Sequence, residues 1–280
     1  MSRSGVRPSF LVERLLWRRK KDFIFAIPLI PRHRAKDWDM VLHKLRATLR
    51  SALNQTDRNF QIIIGTEDRI DVSEARHENV TLMRLVGRRT PPSENRNFSV
   101  ATFDLWFRRN RLTREAQRWS AKYVMFLDAD DLVSNRLVET VKAMPPASGY
   151  ALTRGFVMDD ASGHIVECPG DHLRIEGFDL FCGSSLVFSL TENPAFPQPW
   201  PNVAIDRGHH RTRNFLSTTS TPMIAVEKPL AIYVLNTGIN ISSAGTPDSP
   251  NINFATRTAQ VAAQHGRPMS PEELQEFMGA

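Results

Sequence analysis

Tyr123-Val124-Met125-Phe126-Leu127-Asp128-Ala129-Asp130-Asp131 is an apolar run that ends abruptly in three carboxylates. The run reads as a buried strand. Alternate side chains of an extended chain point the same way, so Asp128 and Asp130 share one face. A strand of this kind delivers them to the carboxyl edge of a parallel sheet, where α/β proteins place ligands. Carboxylates this close repel unless a cation lies between them. Oxygen ligands favour Mg²⁺ or Mn²⁺ over zinc, and such an ion can neutralise a phosphate group. A blander alternative is that Asp130 or Asp131 caps the helix that follows.

The flanks support a sheet. Residues 23–30 form a short apolar run punctuated by Pro28 and Pro31, which predicts a buried strand feeding a loop. Met40, Val41, Leu45, Leu49 and Leu53 recur at helical spacing after Asp37 and Asp39, either of which can cap that helix. Residues 60–64 and 80–86 are further strands, 100–120 a long helix, and 135–143 a shorter one stopped by Pro145-Pro146. Strand–helix alternation predicts a mostly parallel sheet covered by helices. After residue 149 the texture changes to short strands (150–158, 165–167, 184–190, 224–226, 232–235) between turns, with Asp159-Asp160-Ala161-Ser162-Gly163 as a hairpin turn. That half is expected to be mixed or antiparallel and to complete the same sheet. The chain divides into a basic leader (1–21), one α/β domain (22–248, its halves meeting near 148) and a polar tail (249–280) with a short helix near 271–278.

Composition narrows the function classes. The 280 residues are 41% hydrophobic and 24% charged, as in a globular enzyme, and no run approaches the roughly 20 apolar residues of a membrane span. The start of the chain lacks the pattern of a secretory signal, so a cytoplasmic protein is expected. Cys168 and Cys182 sit in no CxxC pair and read as free thiols. The net charge of +6 favours anionic partners. The leader sets Arg3, Arg7, Arg14, Arg18, Arg19, Lys20 and Lys21 against Glu13 alone, interleaved with Phe10, Leu11, Leu15 and Trp17. It reads as a solvated segment or as peripheral contact with an anionic membrane at its inner face. The stretch from Arg108 to Arg118 reads as the solvated face of a helix. Aromatics do not interleave with these basic residues as in a nucleic-acid module, so nucleic acid is not an expected partner.

The strand, the "LDADD" and the helix after it resemble the family 2 inverting glycosyltransferases of the GT-A fold, a Rossmann-like α/β architecture. Leu49-Arg50-Ser51-Ala52-Leu53-Asn54-Gln55-Thr56 is similar to that family's first-helix end, and Asn95-Arg96-Asn97 to its "xRN". The similarity runs through about residues 23–240, and only the "SALNQT" and "FLDADD" pieces are individually specific. The resemblance implies sugar transfer from a nucleotide diphosphate sugar donor to a glycan or glycoconjugate acceptor, with Mn²⁺ or Mg²⁺ as cofactor, in a setting such as polysaccharide biosynthesis. Carried over by residue, Pro28 and the loop to Arg32 border the nucleoside, and Glu67 or Asp68 contacts base or ribose. Arg96 approaches the nucleotide, Asp128 lies near ribose or metal, and Asp130 binds metal. The family's "DDGS" turn is Thr66-Glu67-Asp68-Arg69 here, and Leu29 and Ile30 replace polar residues after the loop proline.

Inversion needs a base for the acceptor hydroxyl. Asp206, in Ala204-Ile205-Asp206-Arg207-Gly208-His209-His210-Arg211, is the candidate; a cap on a helix toward Leu216 or a partner for Arg207 or Arg211 is the alternative. His209 and His210 are further candidates for metal or diphosphate, with polar surface as the alternative. Ala231-Ile232-Tyr233-Val234-Leu235-Asn236 resembles the family's "Y-x-x-H" strand, with Asn236 where the family's histidine supports the metal. The loop from Thr237 to Ser243 either folds over the diphosphate or is a surface turn. Phe178 and Phe181 either stack on a sugar or belong to the core. A nucleotidyltransferase would bring a Gly-rich phosphate loop, which 29–34 lacks, and a glycosyltransferase-like fold acting only as a binding protein is the remaining alternative.

Overall fold

Both faces of β1 (Phe23–Pro28) are covered, and the side chains divide between two cores with the period of a strand. The computed structural model describes residues 20–85, 100–191, 222–238 and 250–279. Phe23, Phe25 and Ile27 join one core with the apolar stripe of α1 (Trp38–Leu53), namely Val41, Leu45, Leu49 and Ala52. Ile24 and Ala26 join the other with Leu112 and Ala116 of α2 (Val100–Arg118). A strand that is apolar on both faces belongs inside a helix-flanked sheet. The Asp37 carboxylate accepts from the Met40 N–H at 2.9 Å and caps α1, which leaves Asp39 on the first turn.

β2 (Phe60–Thr66), β3 (Val80–Arg84) and β4 (Tyr123–Phe126) follow, then β5 (Leu132–Val133) and α3 (Leu137–Ala143). Next come β6 (Gly149–Leu152), β7 (Gly155–Asp159), β8 (Ile165–Cys168), the single turn α4 (Phe178–Phe181) and β9 (Leu186–Ser189). β10 (Ile224–Val226), β11 (Ala231–Leu235), α5 (Pro250–His265) and α6 (Pro271–Met278) complete the described elements.

Seven strands form the main sheet in the order β10-β6-β9-β4-β1-β2-β3. Pairing is parallel from β3 through β4 and between β10 and β6, so only β9, antiparallel to β4 and β6, runs against the rest. This is the expected mostly parallel α/β architecture with a mixed C-terminal part. β1, β2 and β4 end together, with Pro28 level with Gly65 and Ala26 level with Phe126. The loops after these three strands therefore share one edge.

Two expectations are corrected. The C-terminal half does not only complete that sheet: β5, β11, β7 and β8 form a second one. The strand expected over 150–158 is two strands, one in each sheet, with the hand-off at Thr153-Arg154. Phe178 explains the break. Its N–H donates to the Thr153 carbonyl, and its ring lies so close to Gly155 that a Cβ there would meet it at 2.7 Å. The polar tail also hides a long helix, α5, which buries Ala255, Thr258, Ala259 and Ala262. Small residues make a packing stripe that hydrophobicity alone underrates. α6 stands where expected, held by a capping box between Ser270 and Glu273 and by an edge-to-face contact of Phe277 on Phe156. Among the described residues no helix is long and apolar enough to cross a membrane. Cys168 and Cys182 are free and buried.

Candidate active site

The three carboxylates at the end of β4 have three different environments. The Asp128 N–H donates to Ser184 Oγ at 2.9 Å, and its side chain is 38% exposed. Gly183 lies against that carboxylate, where a Cβ would stand 2.7 Å from Oδ2. Asp130 accepts from Thr237 Oγ1 at 3.4 Å, just past the end of β11. Asp131 is fully buried: it accepts from Ser184 Oγ at 2.6 Å, from the Val234 N–H at 3.1 Å and from Cys182 Sγ at 3.7 Å. It joins the main sheet to the second one. Neither Asp130 nor Asp131 caps the helix that follows. α3 begins only at Leu137, after β5, and its N-terminal neighbour Arg136 makes no side-chain cap.

Crowding shows in the acidities. Burial, and then the charge of Asp128, push Asp130 up to about 7. Burial raises Asp131 well above the carboxylate range, with Asp130 and Asp128 adding to the rise. Asp128 is raised by burial and held back by Arg109. A folded-state value above the unfolded one means that the fold keeps a proton the unfolded chain has released. The Asp130 contribution is therefore fully present below about 3.9, the free aspartate value, and is lost as pH rises through about 7. In the absence of metal, the unfolding midpoint is expected to fall by a few degrees between pH 5.5 and 8, with a flatter profile in Asp130→Asn. Thermal melts across that range check it; parallel wild-type and mutant profiles would remove Asp130 as the cause.

Carboxylate oxygens are the ligand type that hard divalent cations take. Asp128 and Asp130 offer carboxylate oxygens, while the Asp131 oxygens are taken. Among the described residues no group of three or more His, Cys, Asp or Glu side chains is arranged as a metal site.

Beside the acids lie the loops after β1 and β2. The Arg32 N–H donates to Asp68 Oδ2 at 2.8 Å, and Thr66 Oγ1 bonds both the N–H and the carbonyl of Asp68 at 3.0 Å. Glu67 accepts from Arg108 Nη2 at 2.5 Å and remains 24% exposed. Pro28 is half-buried and the Arg32 side chain is exposed. The four nucleoside-loop candidates are thus brought together on one edge, with Glu67 and Asp68 partly engaged within the protein.

Arg108 is a correction. The sequence places it on a solvated helix face, yet its side chain is 2% exposed and bonds the Leu29 carbonyl, Glu67 and Asp104. Its signal was available in the spacing: Arg108 stands four residues before Leu112 and eight before Ala116, on the stripe that faces the sheet. Arg109, 12% exposed, also faces inward, whereas Arg111, Arg114 and Arg118 are exposed as expected.

The amide nitrogen of Asn236 donates to Asp159 Oδ1 at 2.9 Å, and its backbone has φ 63°. Its neighbour Thr237 is the residue that reaches Asp130. Asp159 also accepts from Ser162, in the expected hairpin turn between β7 and β8. Lys44 of α1 pairs with Asp160 at 2.5 Å and adds positive charge near Asp130. Phe178 is core, and Phe181 packs edge-on against Tyr233 with ring centroids 4.9 Å apart. Arg96, Asp206, His209 and His210, the leader to residue 19 and the loop beyond Gly238 lie outside the described residues.

No family model matches the chain. No curated protein matches it either. Among solved structures it is similar to the crystal structure of S. aureus TarS, with 10% identity and a TM-score of 0.44, over 91% of this chain and 42% of that one.

A cleft of about 450 Å³ lies away from the acids, along the edge strand β8. Arg154, Glu167, His172 and His265 are among its lining residues, and the two imidazoles stack with centroids 4.6 Å apart. Two of its basic residues are engaged within the protein, Arg154 with Glu167 and Arg267 with Glu273.

Proposed function

We propose that the protein is a glycosyltransferase that moves a sugar from a nucleotide diphosphate sugar to a glycan or glycoconjugate acceptor, with inversion and with Mn²⁺ or Mg²⁺ as cofactor. The observation that carries this reading is the pair Asp128 and Asp130 at the carboxyl edge of β4, beside the loops after β1 and β2. Burial and then the charge of Asp128 push Asp130 up to about 7, and a divalent cation would relieve both costs. A bound cation would neutralise the diphosphate of the departing nucleotide.

The chain's own residues divide the remaining work. Asp128 and Asp130 hold the cation, with Thr237 positioning the Asp130 carboxylate. Pro28, Arg32, Glu67 and Asp68 border the nucleoside, and Arg108 fixes Glu67 from behind. Arg96 and His209 are proposed as nucleotide or metal contacts, Asn236 as a metal contact, and Asp206 as the base that removes the acceptor proton.

The test is calorimetric titration of UDP, GDP and dTDP, with and without Mn²⁺, on wild type and Asp130→Ala. One nucleotide is expected to bind in a Mn²⁺-dependent way, with no measurable binding in the mutant. Failure of all three to bind wild type would overturn the proposal.

A further inference from the structure

Arg108 and Arg109 are adjacent, both turned inward, and unequal in what they bond. Arg108 spends Nε, Nη1 and Nη2 on three protein acceptors. Arg109 is nearly as buried, at 12% exposed, but its Nε is a buried donor without a hydrogen-bond partner among the described residues. Its Nη2 stands 3.9 Å from Asp128 Oδ1, an ion pair beyond hydrogen-bond length, and its Cζ lies 5.2 Å from the Phe126 ring centroid. The Phe126 ring and the Asp128 charge hold the guanidinium in place. Gly183 closes against the same carboxylate, where a Cβ would stand 2.7 Å from Asp128 Oδ2.

A guanidinium has five donors, and burying one with donors unspent costs free energy that only an acceptor recovers. The protein satisfies Arg108 and leaves Arg109 short. The unspent cation lies directly against the carboxylate that borders the proposed donor site. A planar fork of this kind suits phosphate oxygens.

We infer that Arg109 is a protein-supplied second cation of the donor site: it neutralises Asp128 in the free protein and donates to a diphosphate oxygen when Asp128 is engaged by a divalent cation. This rests on the donor-site reading above and adds a named phosphate contact. It makes Arg109 a competitor of the metal when the metal is alone and a partner of it when phosphate is present. A side chain needed only for packing would not behave in these two opposite ways.

The experiment measures free Mn²⁺ by electron paramagnetic resonance during titration of the full chain, first with Mn²⁺ alone and then with Mn²⁺ and pyrophosphate. Wild type, Arg109→Met, Arg109→Lys and Asp130→Ala are compared. Removing a cation so close to Asp128 is expected to tighten binding of Mn²⁺ alone about fivefold or more in Arg109→Met. The same change is expected to weaken pyrophosphate binding in the presence of Mn²⁺ by about tenfold, the worth of a charged hydrogen bond. Arg109→Lys keeps the charge and loses the fork. It should bind Mn²⁺ alone as wild type does and pyrophosphate about threefold more weakly, and it carries the test if the methionine variant does not fold. Pyrophosphate affinity within twofold of wild type in both variants, or equal weakening of both ligands, overturns the inference. Absence of Asp130-dependent Mn²⁺ binding in wild type would instead overturn the donor-site reading, and this inference with it.

Discussion

Asp131→Ala is expected to lower the unfolding midpoint by about 10 °C, whereas Asp130→Ala, one residue away, leaves it unchanged or raises it at pH 8. Asp131 is fully buried and accepts from the Val234 N–H and Ser184 Oγ, with Cys182 Sγ near the same oxygen. Truncation strands these donors away from water, at roughly 1–3 kcal/mol for each orphaned group. The loss also spreads, because Ser184 Oγ is the acceptor for the Asp128 N–H and Val234 belongs to the second sheet. Asp130 sits differently. Its raised pKa says that the fold carries its charge at a cost, from burial first and from the Asp128 charge second, so its removal relieves that cost. Asp131→Asn keeps the volume and one acceptor, and should fall between the two. Thermal unfolding at pH 8 without metal checks the series. A midpoint of Asp131→Ala within 2 °C of wild type would show that the carboxylate is not the brace between the sheets.

The sequence could reveal much of this because the decisive signals are local. An apolar run with carboxylates after it makes β4 and its edge, and an i, i+4 stripe after Asp37 makes α1; both stand where their residues predict. The second sheet was hidden for a physical reason. Residues 150–152 and 156–158 are apolar runs split only by Thr153-Arg154-Gly155, and apolarity does not say which sheet a strand joins. The decision falls to Phe178 pressing on Gly155, a contact across more than twenty residues. α5 was hidden because its buried face is made of alanines and a threonine, which hydrophobicity underrates. In the site, Asp128 and Asp130 are legible as a pair, but the division of labour between Asp130 and Asp131 is not. Both are exposed to the same local pattern, and only Ser184 and Val234, brought in from far along the chain, set them apart. Arg108 and Arg109 were obscured by the opposite habit of reading a run of arginines as one solvated face.

Arg108→Met is expected to weaken both the fold and the nucleotide site, and the two effects have one cause. The guanidinium ties the Leu29 carbonyl after β1 to Glu67 after β2 and to Asp104 on its own helix, which also accepts from Arg34. Methionine retains much of the apolar stem but none of the three bonds. Glu67 and Asp104 are 24% and 27% exposed, so water recovers part of their loss and the full penalty for an unpaired buried charge does not apply. The buried end at Leu29 recovers less. A cost of about 2–4 kcal/mol follows, read as a lower denaturant midpoint at unchanged slope. Freed from Arg108, the Glu67 loop is no longer fixed relative to Pro28 and Arg32, and affinity for the nucleotide should fall by about tenfold as ordering that loop becomes part of binding. Glu67→Gln separates the contributions: it retains an oxygen for Arg108, so stability should change by less than about 1 kcal/mol, while any direct carboxylate contact to base or ribose is lost. Equal affinities for wild type and Arg108→Met, in a variant shown to be destabilised, would mean that the loops after β1 and β2 hold the nucleoside without this tie.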